Sequence, residues 1–168
     1  MTKISEVSRT WWHEETEGIA FTHALDMTLL HSEQSSFQKI EIYEHPIFGR
    51  VLTLDDLVQA SHADEFMYHE MAVHVPLLGR ERQAASVLIV GGGDGGILRE
   101  VLVHDFVSRV VMVEIDERVV ELSKEYLAIN GDYDDPRVEL IIGDAADYMR
   151  KARAAGDQFD LIILDLSE

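Results

Sequence analysis

The first 60 residues show hydrophobic positions that alternate with polar ones. The clearest run is residues 37–43, which meets a turn at His45, Pro46 and Gly49 before a second apolar run at residues 51–54. Alternation on both sides of a turn predicts a β-hairpin. Less regular segments complete this part, namely a predicted polar arm over residues 11–18 and predicted strands over residues 19–30 and 57–60. We therefore expect an antiparallel β-domain over residues 1–60.

After Ser61 the apolar residues recur every three or four positions. Phe66, Met67, Met71 and Val75 follow this spacing, which predicts an amphipathic helix. Ser61 and Asp64 have the spacing of a helix cap, and Pro76 is expected to end the helix. This helix and the polar stretch after it, residues 61–85, are predicted to link the β-domain to the remainder of the chain.

From residue 86 onward, short apolar runs alternate with helical stretches. Strands are predicted at residues 86–90, 110–113, 138–142 and 159–164, with helices beginning near residues 97, 119 and 146. Alternating strands and helices predict an α/β fold of the Rossmann-like kind, with a parallel sheet in the order 3-2-1-4. The predicted domain covers residues 86–168, and ligands are expected outside the carboxyl ends of its strands.

A glycine-rich loop follows the first of these strands. Residues 91–96 read Gly-Gly-Gly-Asp-Gly-Gly, so the backbone can turn sharply and direct helix N–H groups at a ligand. Glu114 ends the next strand, where an acidic residue commonly accepts hydrogen bonds from ribose hydroxyls. Asp94 within the loop would repel a pyrophosphate, so a ligand with a ribose and a cation fits better than a dinucleotide. Sulfonium nucleosides such as S-adenosylmethionine have both.

Each predicted strand of this domain is followed by an acidic residue. The four acids are Asp94, Glu114, Asp144 and Asp165. A single acid after a strand is chance or a helix cap. Because the carboxyl ends of parallel strands meet at one edge of the sheet, four of them predict a pocket for a ligand rich in N–H, O–H or ammonium groups.

Composition narrows the classes of partner. The 168 residues carry 32 Asp and Glu against 14 Lys and Arg, a net charge of -18, which makes nucleic acids and anionic membranes poor partners and favours cations. Cysteine is absent, so disulfides and thiolate chemistry are excluded. Seven histidines lack ligand spacing, and no metal is expected. We expect cytoplasmic residence and, because exposed strands pair with other copies, a homodimer or homotetramer.

Several stretches together resemble the spermidine synthases, the polyamine aminopropyltransferases. They are Phe37-Gln38-Lys39-Ile40, Gly49-Arg50-Val51-Leu52, residues 64–71 (DEFMYHEM), residues 91–100 (GGGDGGILRE), Val113-Glu114-Ile115-Asp116, Asp134-Asp135-Pro136-Arg137 and Asp165. The resemblance implies a sheet like that of S-adenosylmethionine methyltransferases. It also implies transfer of an aminopropyl group from decarboxylated S-adenosylmethionine, a co-substrate and not a permanently bound cofactor, to an amine such as putrescine.

The same resemblance implies roles for individual residues. The residues implied to bind the adenosyl co-substrate are Gln38, Gly91, Gly93, Asp94, Glu114, Asp144 and Ala145. Those implied to bind the amine or the aminopropyl chain are Tyr68, His69, Asp94, Asp165 and Glu168. Asp165 is the implied base that deprotonates the attacking amine. Family members continue beyond this point with further strands, so the chain is expected to be a fragment with an incomplete sheet.

Other interpretations stay open. Apart from the resemblance, the alternating strand favours an edge position or a hairpin hydrogen bond for Gln38. Tyr68 and His69 are equally consistent with packing of an amphipathic helix. The family pattern after the fourth strand has a small polar residue and an aspartate where this chain has Leu166 and Glu168. The alternatives to an aminopropyltransferase are a methyltransferase that uses S-adenosylmethionine and a non-catalytic polyamine- or nucleoside-binding fragment.

Overall fold

The computed structural model describes residues 10–15, 22–79, 85–129 and 131–166. Contacts divide the chain into two compact units, residues 1–63 and 64–168. The elements in chain order are β1 (Thr10–Glu15), β2 (Thr22–Gln34), β3 (Lys39–His45), β4 (Gly49–Leu54), β5 (Leu57–Ser61), α1 (Glu65–Leu78), β6 (Ala85–Gly91), α2 (Gly96–Leu102), β7 (Val107–Glu114), α3 (Glu117–Tyr126), β8 (Val138–Ile142), α4 (Ala145–Ala155) and β9 (Leu161–Asp165). The domain boundaries predicted after residues 60 and 85 stay a prediction.

In the described part of the first unit, the strands form one antiparallel sheet in the order β1-β2-β3-β4-β5. The predicted hairpin is confirmed as β3 and β4, and its turn is closed by His45, whose Nδ1 accepts the N–H groups of Ile47 and Phe48 at 3.1 Å each. The polar arm predicted over residues 11–18 is wrong for residues 11–15, and residues 16–18 lie outside the described residues. Residues 10–15 form β1, paired with β2 in register, because backbone hydrogen bonds can add an edge strand without an apolar side-chain pattern.

The second unit contains the predicted α/β sheet. Its described strands are all parallel and lie in the order β8-β7-β6-β9, which confirms the 3-2-1-4 order predicted from the sequence. The central strands β6 and β7 are the most apolar, and Leu88, Ile89, Val110 and Met112 are buried on both of their faces. Burial on two faces is the reason these strands read as continuous apolar runs and not as alternating ones.

The linking helix departs from its predicted end. Helix α1 continues through Pro76 to Leu78, whereas the sequence suggested a stop at the proline. A proline removes one N–H bond to the residue four positions earlier, but here the helix has only two residues left, and Gly79 N donates to Val75 O at 3.1 Å. Ser61 belongs to β5, and the N-cap position is Asp64. Among the helices of the described residues, none has the length and apolar composition needed to cross a bilayer.

Helix α1 packs tightly on α2 at one glycine. His69 is 2% exposed, and a Cβ placed on Gly96 would lie 2.2 Å from both Cε1 and Nδ1 of its ring. Around this contact, Val73 and Leu77 of α1 join Ile97 of α2 in the core beneath the sheet. Glycine at the first position of α2 is therefore required by the histidine ring, and not only by backbone flexibility.

We expect Gly96→Ala to destabilise the second unit by about 1–3 kcal/mol, the usual cost of overpacking a rigid core. Gly143→Ala is the matched control, because no heavy atom of the described residues lies within 4 Å of its added Cβ, and we expect a change within about 0.5 kcal/mol. Urea unfolding followed by circular dichroism measures both. A Gly96→Ala protein as stable as its parent would contradict the packing described here.

Candidate functional site

The glycine loop between β6 and α2 has a backbone that only glycine adopts readily. Gly91, Gly92 and Gly95 have φ values of 80°, 75° and 83°, in the left-handed region. A Cβ on Gly91 would lie 2.0 Å from Asp165 O, and Gly92 N donates to that carbonyl at 3.0 Å. This hydrogen bond holds the end of β9 against the glycine loop. Asp165 therefore lies next to the loop.

Asp94 is fixed at the start of α2. Its Oδ1 accepts the N–H of Gly96 at 2.8 Å, and its Oδ2 lies 3.5 Å from Nε2 of His69. The carboxylate is partly exposed. One oxygen thus orients the side chain on the loop, while the edge of the carboxylate next to His69 remains within reach of a ligand cation.

Asp165 faces this carboxylate from the end of β9. Tyr68 donates its hydroxyl to Asp165 Oδ1 at 2.9 Å, and one ligand atom each from Asp165, Asp94 and His69 lie within 4.8 Å of one another. Burial, followed by the charge of Asp94, raises the pKa of Asp165, while the Tyr68 hydrogen bond and His69 lower it. A carboxylate with a raised pKa is a better proton acceptor near neutral pH.

His69 is held between two carboxylates. Its Nδ1 lies 2.6 Å from Glu65 Oε2 and its Nε2 lies 3.5 Å from Asp94 Oδ2. Burial lowers the pKa of His69, but the hydrogen bonds and charges of Asp94 and Glu65 outweigh it and raise the pKa to about 9. The raised pKa favours the protonated, positively charged ring at neutral pH. Asp94 and Asp165 offer carboxylate oxygens beside the ring, and such oxygens can accept hydrogen bonds from an ammonium group.

Glu114 ends β7 beside the loop. The side chain is buried, and its Oε1 accepts the N–H of Asp116 at 2.9 Å. A Cβ on Gly93 would lie 3.0 Å from Glu114 Oε2 and 2.8 Å from Val119 Cγ1, so glycine at this position lets the loop approach both. Burial raises the pKa of Glu114, although three backbone N–H groups lower it. A carboxylate at this position can accept hydrogen bonds from hydroxyl groups of a ligand.

The remaining predicted site residues are placed differently. Asp144 is exposed, and its Oδ1 caps α4 by accepting the N–H groups of Ala146 at 2.7 Å and Asp147 at 3.2 Å. Ala145 is the first residue of that helix. Gln38 is partly buried in the first unit, directly before β3. Glu168 lies outside the described residues.

Sequence reasoning missed two residues that support the site. Arg99 donates to both oxygens of Glu65, at 3.0 and 2.9 Å, and Glu65 in turn contacts His69. The spacing of Glu65 and His69, four positions on one helix, is a signal that could have been found. The contact with Arg99 spans 34 positions, and no local pattern indicates it.

Comparisons with known proteins show which family the chain matches. The family model described as "Spermine/spermidine synthase domain" matches residues 65–168, and "Spermidine synthase tetramerisation domain" matches residues 10–62. The chain is 44% identical over 160 residues to the polyamine aminopropyltransferase of Ruegeria sp. (strain TM1040), covering 94% of this chain and 55% of that one. For the enzyme of Bacillus subtilis (strain 168) the identity is 42% over 164 residues, covering 96% and 58%.

Solved structures give the same result. The crystal structure of spermidine synthase from Thermotoga maritima superposes with a TM-score of 0.87 at 39% identity, covering 98% of this chain and 57% of that one. A spermidine synthase in complex with the transition state analogue AdoDATO gives a TM-score of 0.88 at 38% identity, covering 100% and 57%. The chain thus spans about half the length of the relatives it matches.

The hydrogen bond from Tyr68 gives a testable pH effect. Because it stabilises the ionised form of Asp165, Tyr68→Phe should raise the pKa of this carboxyl, so that Asp165 gains its proton at a higher pH. The carboxyl ¹³C shift of Asp165, followed by NMR against pH, measures the midpoint. Tyr148→Phe on α4 is the control and should leave it unmoved. A midpoint that stays in place or falls in Tyr68→Phe would show that this hydrogen bond does not act on the carboxylate.

Proposed function

Because the chain belongs to the spermine and spermidine synthase family, we propose that the protein transfers an aminopropyl group from decarboxylated S-adenosylmethionine to an amine such as putrescine. The products are spermidine and methylthioadenosine. One observation carries the proposal: Asp94 and Asp165 converge with His69 within 4.8 Å at the glycine loop, beside the buried Glu114. This edge of the sheet combines acids for two amino groups with an acid for a ribose.

In the proposed complex the nucleoside lies along the loop. Gly91 and Gly93 allow the close approach of the ligand, and Glu114 accepts hydrogen bonds from the ribose hydroxyls. Asp144 and Ala145 take the adenine, for which Asp144 retains the oxygen that does not accept the capping hydrogen bonds. The role of Gln38 in binding the adenosyl group stays a prediction from the family resemblance.

The reaction proposed is an in-line displacement at carbon. The neutral nitrogen of the acceptor attacks the aminopropyl carbon bonded to the sulfonium, the C–S bond breaks, and its electron pair neutralises the sulfur as a thioether. Asp165 accepts the proton that the nitrogen loses, and its raised pKa favours that step. Asp94 holds the ammonium at the far end of the aminopropyl chain. The protein mainly orients two substrates and keeps one amine neutral.

The acceptor amine is proposed to lie near Tyr68 and Asp165, with Glu168 as a further carboxylate. Decarboxylated S-adenosylmethionine is consumed as a co-substrate, and the proposal includes no permanently bound cofactor. A homo-oligomer is proposed because residues 10–62 match a family tetramerisation domain, which favours a tetramer over a dimer. Residence in the cytoplasm stays a prediction from the sequence.

The position of Asp94 favours an aminopropyltransferase over a methyltransferase of the same fold. Ordinary S-adenosylmethionine would bring its own carboxylate toward Asp94 and Asp165, which lie together at the loop. Like charges in one partly buried site are unfavourable. The decarboxylated form presents only an ammonium there. The third possibility is a binding fragment without catalysis. Such a fragment would bind the same ligand but would not use Asp165 as a base.

Calorimetry with methylthioadenosine tests the nucleoside part of the proposal. Glu114→Gln should weaken binding by at least about tenfold, because a hydrogen bond to a charged acceptor contributes about 1.5–3 kcal/mol. Glu117→Gln, on the exposed first turn of α3, is the control and should bind like the parent chain. Unchanged affinity in Glu114→Gln, or no binding by the parent chain, would contradict the assignment.

A further inference from the structure

A chain of alternating charges runs from α2 to the glycine loop. Arg99 forms a two-point contact with Glu65, and it also donates to Ile129 O at 2.7 Å. Glu65 contacts His69 Nδ1, and His69 Nε2 faces Asp94. The order is cation, carboxylate, imidazolium, carboxylate. Neither Glu65 nor Arg99 has a role in the function proposed above.

The position of His69 requires two protons on its ring. Each nitrogen faces a carboxylate oxygen, at 2.6 Å for Glu65 and 3.5 Å for Asp94, so a neutral ring would direct a lone pair at one of them. The ring cannot turn away, because it lies against Gly96. Glu65 is itself held ionised. Burial raises its pKa, but its contacts with Arg99 and His69 lower the pKa by more, so the net shift is downward.

The two acids that the proposed reaction needs lie close together. Asp94 and Asp165 offer oxygens within 4.8 Å of each other, and burial, followed by the charge of Asp94, raises the pKa of Asp165. Protonation of Asp165 would remove the base that accepts the amine proton. The imidazolium of His69 lies next to both and offsets their repulsion.

We propose that Glu65 and Arg99 are positioning residues that hold the charged ring of His69 next to Asp94 and Asp165, where it offsets the repulsion between these two carboxylates. The catalytic meaning of this inference rests on the proposed function, but the charge coupling does not. The charged and titratable groups that face His69 come from each element packed against it. They are Glu65 and Tyr68 on α1, Asp94 in the loop and Asp165 on β9, and α2 adds Arg99, which reaches the ring through Glu65 and also donates to Glu100.

The test compares two arginine–carboxylate pairs of the same geometry. Glu65→Gln removes the pair with Arg99, and Asp157→Asn removes the equally two-point pair of Arg109 and Asp157, at 2.8 and 2.9 Å, away from the loop. Carboxyl ¹³C shifts of Asp94 and Asp165 and the ring ¹⁵N shifts of His69 are followed against pH in the ligand-free chain.

In Glu65→Gln, His69 should lose its second proton at a lower pH than in the parent, and the midpoint of Asp165 should move to higher pH because the positive charge that lowers its pKa is weakened. His69→Gln should move the Asp165 midpoint further in the same direction, and Arg99→Lys, which keeps the charge but not the two-point contact, should move it less. Asp157→Asn should lower stability without moving the midpoint of His69 or of Asp165.

An unmoved His69 midpoint in Glu65→Gln together with an unmoved Asp165 midpoint in His69→Gln would overturn the proposal, as would shifts of equal size in Asp157→Asn. Because these titrations need no ligand, they stand apart from the function itself. The functional part is tested by the binding of decarboxylated S-adenosylmethionine. In Glu65→Gln this binding should weaken at pH 6, by at most about tenfold for each unit by which the Asp165 midpoint rises, and recover at pH 8. Equal weakening at both values would mean a structural role only.

Discussion

The ring of His69 is pressed against Gly96 and paired on both sides with carboxylates, and the rest of the site depends on this contact. The ring fixes α1 to the start of α2, where the loop turns. It also places a buried positive charge next to Asp94. Packing and electrostatics therefore act at one point, since a side chain on Gly96 would displace the ring and so disturb Asp94.

The four acids at the strand ends serve different purposes, although they look alike in the sequence. Asp144 caps a helix, and Glu114 is buried against backbone N–H groups at the loop. Asp94 and Asp165 face each other across the end of the sheet. The four acids therefore have different partners, and one edge of the sheet carries a helix cap, a buried carboxylate and a pair of facing carboxylates.

The sequence predicted the sheet well because its signals are local. The apolar runs of β6 and β7, the glycine loop and the acids after each strand are features of consecutive residues, and the strand order follows from general rules of chain connection. Local reasoning failed where partners override it. Pro76 is accommodated near a helix end, and residues 10–15 form a strand through backbone pairing with β2.

The support for the site could not be predicted from local patterns. Arg99 reaches Glu65 across 34 positions, and the closeness of Asp165 to the loop depends on a backbone hydrogen bond from Gly92 to the end of β9. Tyr68 was expected to line the amine pocket, and its hydroxyl donates to Asp165. Such contacts become visible only when the sheet brings distant segments together.

The most direct test of the proposed site is the selectivity conferred by Asp94. Calorimetry would compare decarboxylated and ordinary S-adenosylmethionine, first with the parent chain and then with Asp94→Asn. The parent should prefer the decarboxylated form by at least about tenfold, since one charged hydrogen bond is replaced by repulsion, and the variant should lose most of that preference. A preference that is absent in the parent, or unchanged in Asp94→Asn, would contradict the claim that this acid recognises the aminopropyl ammonium.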